Sequence, residues 1–348
     1  MEIRPATDSD RDLWDGYVHD HPHGLAYHRF AWKDAVERAY GFDCPYLVAV
    51  DGGRVRGVLP LVHVRPPLSR GALVSLPYCD VGGGLADDAD AARALLRAAA
   101  DEARRRGVHT VEIRTAVDPG PALGAAVEPS VKVRMVLELP DGSEALLKSL
   151  KSKLRSQVRK PTRDGLRARL GGPELVAEFW PIYARNMRDL GSPPHPEAWF
   201  RAVVEAYGES ARVGVAYMPD GTPAAAGVIL RNGPVVSIPW ASSVRELNRW
   251  NPNMLLYWTF LAHAADTGAR WFDFGRSTRG EGTYRFKKQW GSEERPLYWV
   301  RLVRGAVEAE TDPGPPGRKR ELAEALLRRL PVGVNAWVGR LARKYVAL

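Results

Sequence analysis

Cysteine is almost absent: Cys44 and Cys79 are the only two, far apart and without a Cys-x-x-Cys pair. Neither a disulfide framework nor a zinc cluster is suggested, and a reducing compartment fits best. Long apolar runs are missing as well, for nowhere do about 18 apolar residues follow one another. The opening stretch MEIRPATDSDRDLW is charged from its second residue and has no apolar core of a secretory signal. A soluble, cytoplasmic protein without metal or resident cofactor is therefore expected.

What is present can build real cores. Hydrophobic residues make up 45% of 348 positions, and that length suggests two domains. The net charge of +9 is concentrated. Residues 148–169 carry nine Lys/Arg against the single acid Asp164, and residues 318–348 carry eight against Glu321 and Glu324, so the remainder is net acidic. Such concentrations attract phosphates, nucleic acid or acidic lipid, or are simply solvated helical faces.

The order of elements repeats. An apolar, strand-like run at 46–64 is split by the hairpin signal Asp51-Gly52-Gly53. A helix at 89–106 then stops at Gly107 and a strand follows at 108–114. In the second half, strands at 212–217, 224–230 and 235–240 follow helices at 174–189 and 196–207. A helix at 253–267, its stop Gly268 and a strand at 271–274 complete the series. A duplicated α/β unit is the economical reading. A strand at 131–139 leads through Pro140-Asp141-Gly142 to the basic segment, so the boundary is placed near 140. The run Thr311-Asp312-Pro313-Gly314-Pro315-Pro316-Gly317 reads as a linker to a helical tail.

Three motifs point further. The basic segment runs Leu150-Lys151-Ser152-Lys153-Leu154-Arg155-Ser156-Gln157-Val158-Arg159-Lys160-Pro161-Thr162-Arg163-Asp164-Gly165. A strand and loop, Trp271-Phe272-Asp273-Phe274-Gly275-Arg276, precede Gly282-Thr283-Tyr284-Arg285-Phe286-Lys287-Lys288-Gln289-Trp290. Near the start stands Phe30-Ala31-Trp32-Lys33. In order, spacing and position these resemble the signatures of the Fem-type peptidyltransferases, over roughly residues 25–300. The resemblance implies an α/β fold of mixed sheets with two tandem acetyltransferase-like (GNAT) domains. These would be 1–140, completed by part of 300–348, and 141–300, followed by the basic tail 318–348. It also implies transfer of an aminoacyl group from aminoacyl-tRNA to an amine of a peptide or cell-envelope precursor, by a monomer.

Carried over residue by residue, the catalytic candidate is Lys287, in a loop read at Tyr284–Trp290. Aminoacyl transfer passes through a tetrahedral oxyanion, and a preorganised cation supplies its stabilisation; the alternative is one more solvated cation. Lys151, Lys153, Arg155, Arg159, Lys160, Arg163, Arg276, Tyr284 and Phe286 would hold the tRNA donor. Lys33, His195, Trp199, Trp240 and Tyr257 fall at or near acceptor positions, yet His195, Trp199 and Trp240 replace the family's arginine and tyrosines, and Lys33 stands one residue before the place of its phosphate lysine, which Asp34 takes. A neutral imidazole holds a diphosphate poorly beside a forked guanidinium, which argues against a UDP-sugar acceptor. His195 sits between prolines, where a structural loop role is equally open. No general base stands out, and Asp273 reads as an acid bonding nearby backbone N–H groups.

The rival donor is acyl-CoA, acting on a polysaccharide or amino-sugar precursor. Its pyrophosphate would need a glycine-rich turn at a helix N-terminus, and the nearest, Val81-Gly82-Gly83-Gly84, runs into Asp87-Asp88. A third reading is an RNA- or membrane-binding adaptor without chemistry. In the tail, Leu322, Leu326 and Leu330 recur at helical spacing, as do Val334, Trp337, Val338, Leu341 and Tyr345, among arginines. The pattern serves either peripheral contact with an anionic membrane or packing on the first domain.

Overall fold

The computed structural model describes residues 1–309 and 317–346. All of the proposed linker except Gly317 lies outside them. In chain order the first part comprises β1 (Glu2–Pro5), α1 (Arg11–Asp20), α2 (Phe30–Tyr40), β2 (Leu47–Asp51), β3 (Arg54–Leu59), β4 (Val62–Val64), β5 (Ala72–Val74), β6 (Leu85–Ala86), α3 (Ala89–Arg105), β7 (Thr110–Thr115) and the short α4 (Gly120–Leu123). The middle comprises β8 (Lys132–Glu138), α5 (Ser143–Ser149), α6 (Ser152–Arg163), β9 (Arg167–Gly171), α7 (Val176–Asp189), α8 (Glu197–Tyr207), β10 (Ala211–Tyr217), β11 (Pro223–Asn232), β12 (Val235–Ser243) and α9 (Pro252–Asp266). The last part comprises β13 (Trp271–Thr278), α10 (Gly282–Lys288), β14 (Glu293–Pro296), β15 (Tyr298–Val303), β16 (Ala306–Ala309), α11 (Arg318–Arg329) and α12 (Val332–Ala342).

The strands form three sheets, ordered β1-β2-β3-β6, β16-β15-β7-β5-β4 and β14-β8-β13-β12-β11-β10-β9. The apolar run read as continuous to residue 64 is broken at Pro60, which cannot donate to a ladder. As a result β3 and β4 enter different sheets. The strand between the halves, β8, joins the seven-stranded sheet, while β15 returns to pair antiparallel with β7, Trp299 opposite Arg114.

Each half opens like a V where two strands part. In the first half β6 stays in the four-stranded sheet while β7 belongs to the five-stranded one. In the second, β12 and β13 run parallel only over Val235–Ser237 and Trp271–Asp273 before diverging. Past that point β12 continues along β11 and β13 along β8.

The halves meet in one aromatic core. α2 packs against α8, and Trp32 is fully buried, edge-on to Trp199 at 5.4 Å and stacked with Trp240 at 6.1 Å. Tyr40 stacks on Trp199 from the first half, and Phe200 meets Trp240 from the second. These rings belong to a single buried cluster that runs from Trp14 and Tyr46 through to Phe179 and Val228. Removing Trp199 leaves a hole in the core of both halves. Trp199→Ala should cost about 3–5 kcal/mol, read as a lowered urea midpoint, and both halves should unfold in one transition. Two separated transitions would contradict a shared core.

Candidate active site

β13 carries the central feature. Asp273 pairs with Val136 and Arg276 with Arg134, so three steps on β13 span two on β8. This one-residue bulge falls at Phe274-Gly275, with Gly275 at φ 72°, a conformation that costs glycine little. Side chains alternate faces along a strand, and without the bulge Asp273 and Arg276 would point apart. With it they share the face that looks toward the first half.

There the two halves exchange charge. Arg276 donates from Nε to Asp80 at 3.1 Å, and its backbone N–H meets the same carboxylate at 3.1 Å. Asp273 receives Arg134 Nε at 2.8 Å and the Gly275 N–H at 2.9 Å, so it does bond neighbouring backbone, and it also neutralises a guanidinium. The Trp299 ring lies within cation–π range of both Arg114 and Arg276, at 5.4 and 4.9 Å. Tyr27, edge-on to Trp32 at 5.3 Å, lies in the field of Asp273, Asp80 and Arg134. Burial first, and then those carboxylates, hold its phenol protonated.

Lys287 enters this cluster from α10. Residues 284–290, read as a loop, are mostly helix. Phe286 packs edge-on to Tyr257 at 4.8 Å with Trp290 beside it, Tyr284 donates its hydroxyl to Glu294 at 2.6 Å, and Ser292 Oγ caps the Lys287 carbonyl at 3.0 Å. Adjacent residues on a helix point about 100° apart, and Phe286 facing the core turns Lys287 into the seam. Its side chain is 9% exposed. Nζ donates to the Arg276 carbonyl at 2.7 Å, and its other N–H bonds meet no acceptor among the described residues. Burial pushes its ammonium down to about 8; Asp80 and Asp273 pull upward, and the Arg276 guanidinium adds to the fall.

The donor residues read from sequence fall into two groups. Leu154, Val158 and Pro161 bury one face of α6. Lys151, Lys153, Arg159 and Arg163 stand exposed, Arg155 partly so, and none of the five makes an ion pair among the described residues. Lys160 is paired with Asp164. Arg276, Tyr284 and Phe286 lie instead around Lys287.

The acceptor set is not brought together as a binding surface. Trp199 and Trp240 are core residues, and Tyr257 belongs to a second buried cluster beneath α10. Lys33 turns to Glu37 at 2.9 Å and Asp8 at 3.8 Å. His195 has its polar groups occupied. Arg343 Nε faces Nε2 at 3.2 Å and cannot accept, so Nε2 accepts, and the Nδ1–H bonds Tyr40 Oη at 2.5 Å. Its carbonyl receives the Trp180 indole at 2.9 Å. Burial and then the Arg343 charge hold the imidazole well below its ordinary range, hence neutral. Of the two roles left open for His195, the structural one matches this packing.

Asp80 and Arg134 escaped the sequence reading. Asp80 lies after two non-glycine residues in the left-handed region, Leu76 (φ 60°) and Tyr78 (φ 71°). Arg134 sits in the run Lys132-Val133-Arg134-Met135, whose polar alternation was the available signal for a charge facing inward.

The first half's V contains an open cleft that adjoins a small apolar pocket bounded by Leu59, Leu96 and Ile113. Asp87, Asp88 and Asp118 line its mouth with His21 and His23. Asp88 caps α3 by accepting the Ala91 N–H at 2.8 Å, so a carboxylate already occupies the place a phosphate would take. The segment from Asp80 to Gly84 links this cleft to the charged seam.

Residues 148–288 match the family model of the acetyltransferase (GNAT) domain. FemX has a similar structure, with a TM-score of 0.70 at 16% identity over 88% of this chain and 98% of that one. A tandem GNAT protein from the clavulanic acid biosynthesis pathway gives 0.53 at 17% identity over 89% and 99%. L-PGS from Bacillus licheniformis gives 0.56 at 12% over 94% and 99%. No curated protein matches the chain in sequence.

If Lys287 is held at an energetic cost to the fold, removing its charge should not hurt stability. Lys287→Met is expected to melt at or above the wild-type temperature near pH 7. The native pKa lies below the unfolded value of about 10.4, so between them the unfolded chain binds more protons. Wild-type stability should therefore rise from about pH 8 to pH 10, and the Met variant should lack that rise in pH-dependent melting curves.

Proposed function

We propose that this chain, which has the Fem-type tandem acetyltransferase fold, is an acyltransferase that passes an aminoacyl group from aminoacyl-tRNA to the amine of a peptide or cell-envelope precursor. The observation that carries the reading is Lys287: a desolvated ammonium with N–H bonds to spare, fixed by α10 in a charged seam between the halves. The acceptor amine attacks the ester carbonyl, and the carbonyl oxygen takes on negative charge. Collapse of that intermediate breaks the bond to the ribose oxygen, which leaves with the proton the amine gives up. A lysine preorganised beside the oxyanion stabilises the transition state more than the ground state.

The open cations of α6 and its N-cap, Lys151, Lys153, Arg155, Arg159 and Arg163, together with Lys160 once it leaves Asp164, supply the phosphate contacts a tRNA backbone needs, with Arg276 nearer the transferred group. The acceptor reaches the seam from the first-half cleft, whose acidic mouth suits an ammonium and repels a diphosphate. In this reading the boundary drawn at 140 moves back to before β8, which pairs with β13 and β14 in the second half's sheet, and the first half is completed by the returning β15.

Lys287→Ala should lower transfer by about two to three powers of ten with folding intact. Transfer by the wild type should fall above about pH 8 as the ammonium is lost, while any activity restored by Lys287→Arg should persist there, because a guanidinium stays charged. A wild-type rate that climbs through pH 8 would instead make the neutral amine the acting form. Donor binding should weaken steeply with salt as counterions are released. Coenzyme A, and not RNA, on the purified protein would overturn the choice of donor.

A further inference from the structure

The tail plays no part in the chemistry above, and its packing is inverted. Both α11 and α12 lie on α7. α12 turns its small residues inward: Asn335, Ala336 and Gly339 are buried, and Asn335 Nδ2 donates to the Ser192 carbonyl at 3.1 Å. Gly339 approaches so closely that a Cβ there would stand 2.2 Å from the Pro194 oxygen. Beyond the helix, Arg343 reaches His195. This is a fixed docking, made through contacts that only small side chains allow.

The large residues face the other way. Val334, Trp337 and Leu341, at helical spacing, are 45%, 58% and 55% exposed, and on α11 Leu322 and Leu326 are each 63% exposed. Leu190, at 59%, ends α7 next to Gly191, which abuts the backbone of Glu324. Twelve large hydrophobic side chains are exposed among the described residues, and seven of them are Leu190, Leu322, Leu326, Val334, Trp337, Leu341 and Val346. An apolar concentration of this kind, gathered on α11, α12 and the residues next to them, marks a contact surface.

Charge identifies the partner. Arg329 and Arg340 are exposed and make no ion pair among the described residues, Arg328 is half exposed beside Glu324, and α12 carries no acid. A second copy meeting this surface across a two-fold axis would bring two sets of those arginines into one interface. An anionic bilayer receives apolar side chains and arginines together, with tryptophan at its headgroup level.

We propose that the outward faces of α11 and α12 dock the protein on the surface of an anionic lipid bilayer. The surface is separate from the Lys287 seam, and its test does not depend on any transfer activity. Full-length protein should float with vesicles of equimolar phosphatidylglycerol and phosphatidylcholine and stay down with phosphatidylcholine alone. Leu326→Asp combined with Trp337→Asp should abolish flotation. Arg329→Gln combined with Arg340→Gln should weaken it by about thirtyfold. All four positions point outward, so melting temperatures should stay near that of the wild type. No flotation on the anionic vesicles, or undiminished flotation of either variant, would overturn the proposal. Light scattering that finds a dimer dissolved by the Asp variant would also overturn it and assign the face to a second copy.

Discussion

The halves of this protein are joined by a core that belongs to neither, and everything at the candidate site depends on that. Trp32, Trp199 and Trp240 pack against one another in a single buried cluster that draws residues from both halves. Domains that meet through wet, polar contacts slide or hinge on one another. Here such motion would have to open a buried stack of rings. The polar seam at the edge of that stack, reached through Tyr27, therefore inherits its rigidity. Asp80 from one half can be held against Arg276 from the other, a precision that electrostatic stabilisation of a transition state requires.

A second constraint is electrostatic. The seam gathers Arg134, Arg276 and Lys287 around only two carboxylates, Asp80 and Asp273. The acids are committed to the guanidiniums at close range, and the lysine is left to balance its charge at a distance. Its lowered affinity for a proton follows from that arrangement. Lys287 thus keeps N–H donors that neither carboxylate takes up among the described residues.

Much of the architecture could be read from the sequence because it is encoded locally. Asp51-Gly52-Gly53 forms the hairpin between β2 and β3, and Gly107 and Gly268 end helices that lead into strands, so the repeated order of elements was visible. Lys287 was found through a motif. Its environment was not, since Asp80 and Arg134 reach it through pairings between distant segments, and the bulge at Gly275 that aims Arg276 has no short-range signature. His195, Trp199 and Trp240 were assigned to an acceptor by resemblance alone, and the packing of α2 on α8 shows that they fill a core. The tail's spacing revealed amphipathic helices; which face turned inward was decided by the fit of Gly339 against Pro194.

The return of β15 to the side of β7 has a consequence for biosynthesis. Trp299 pairs with Arg114, so β7 stays unpaired along one edge until the ribosome has made β15, Tyr298–Val303. β8, made early, likewise waits for β13 and β14 on either side. Closing contacts so distant in sequence is slow, and an exposed strand edge is a template for pairing with other chains. The nascent protein thus passes a long interval of its synthesis with two unfinished sheets, whose unpaired edges make it prone to aggregate until they close.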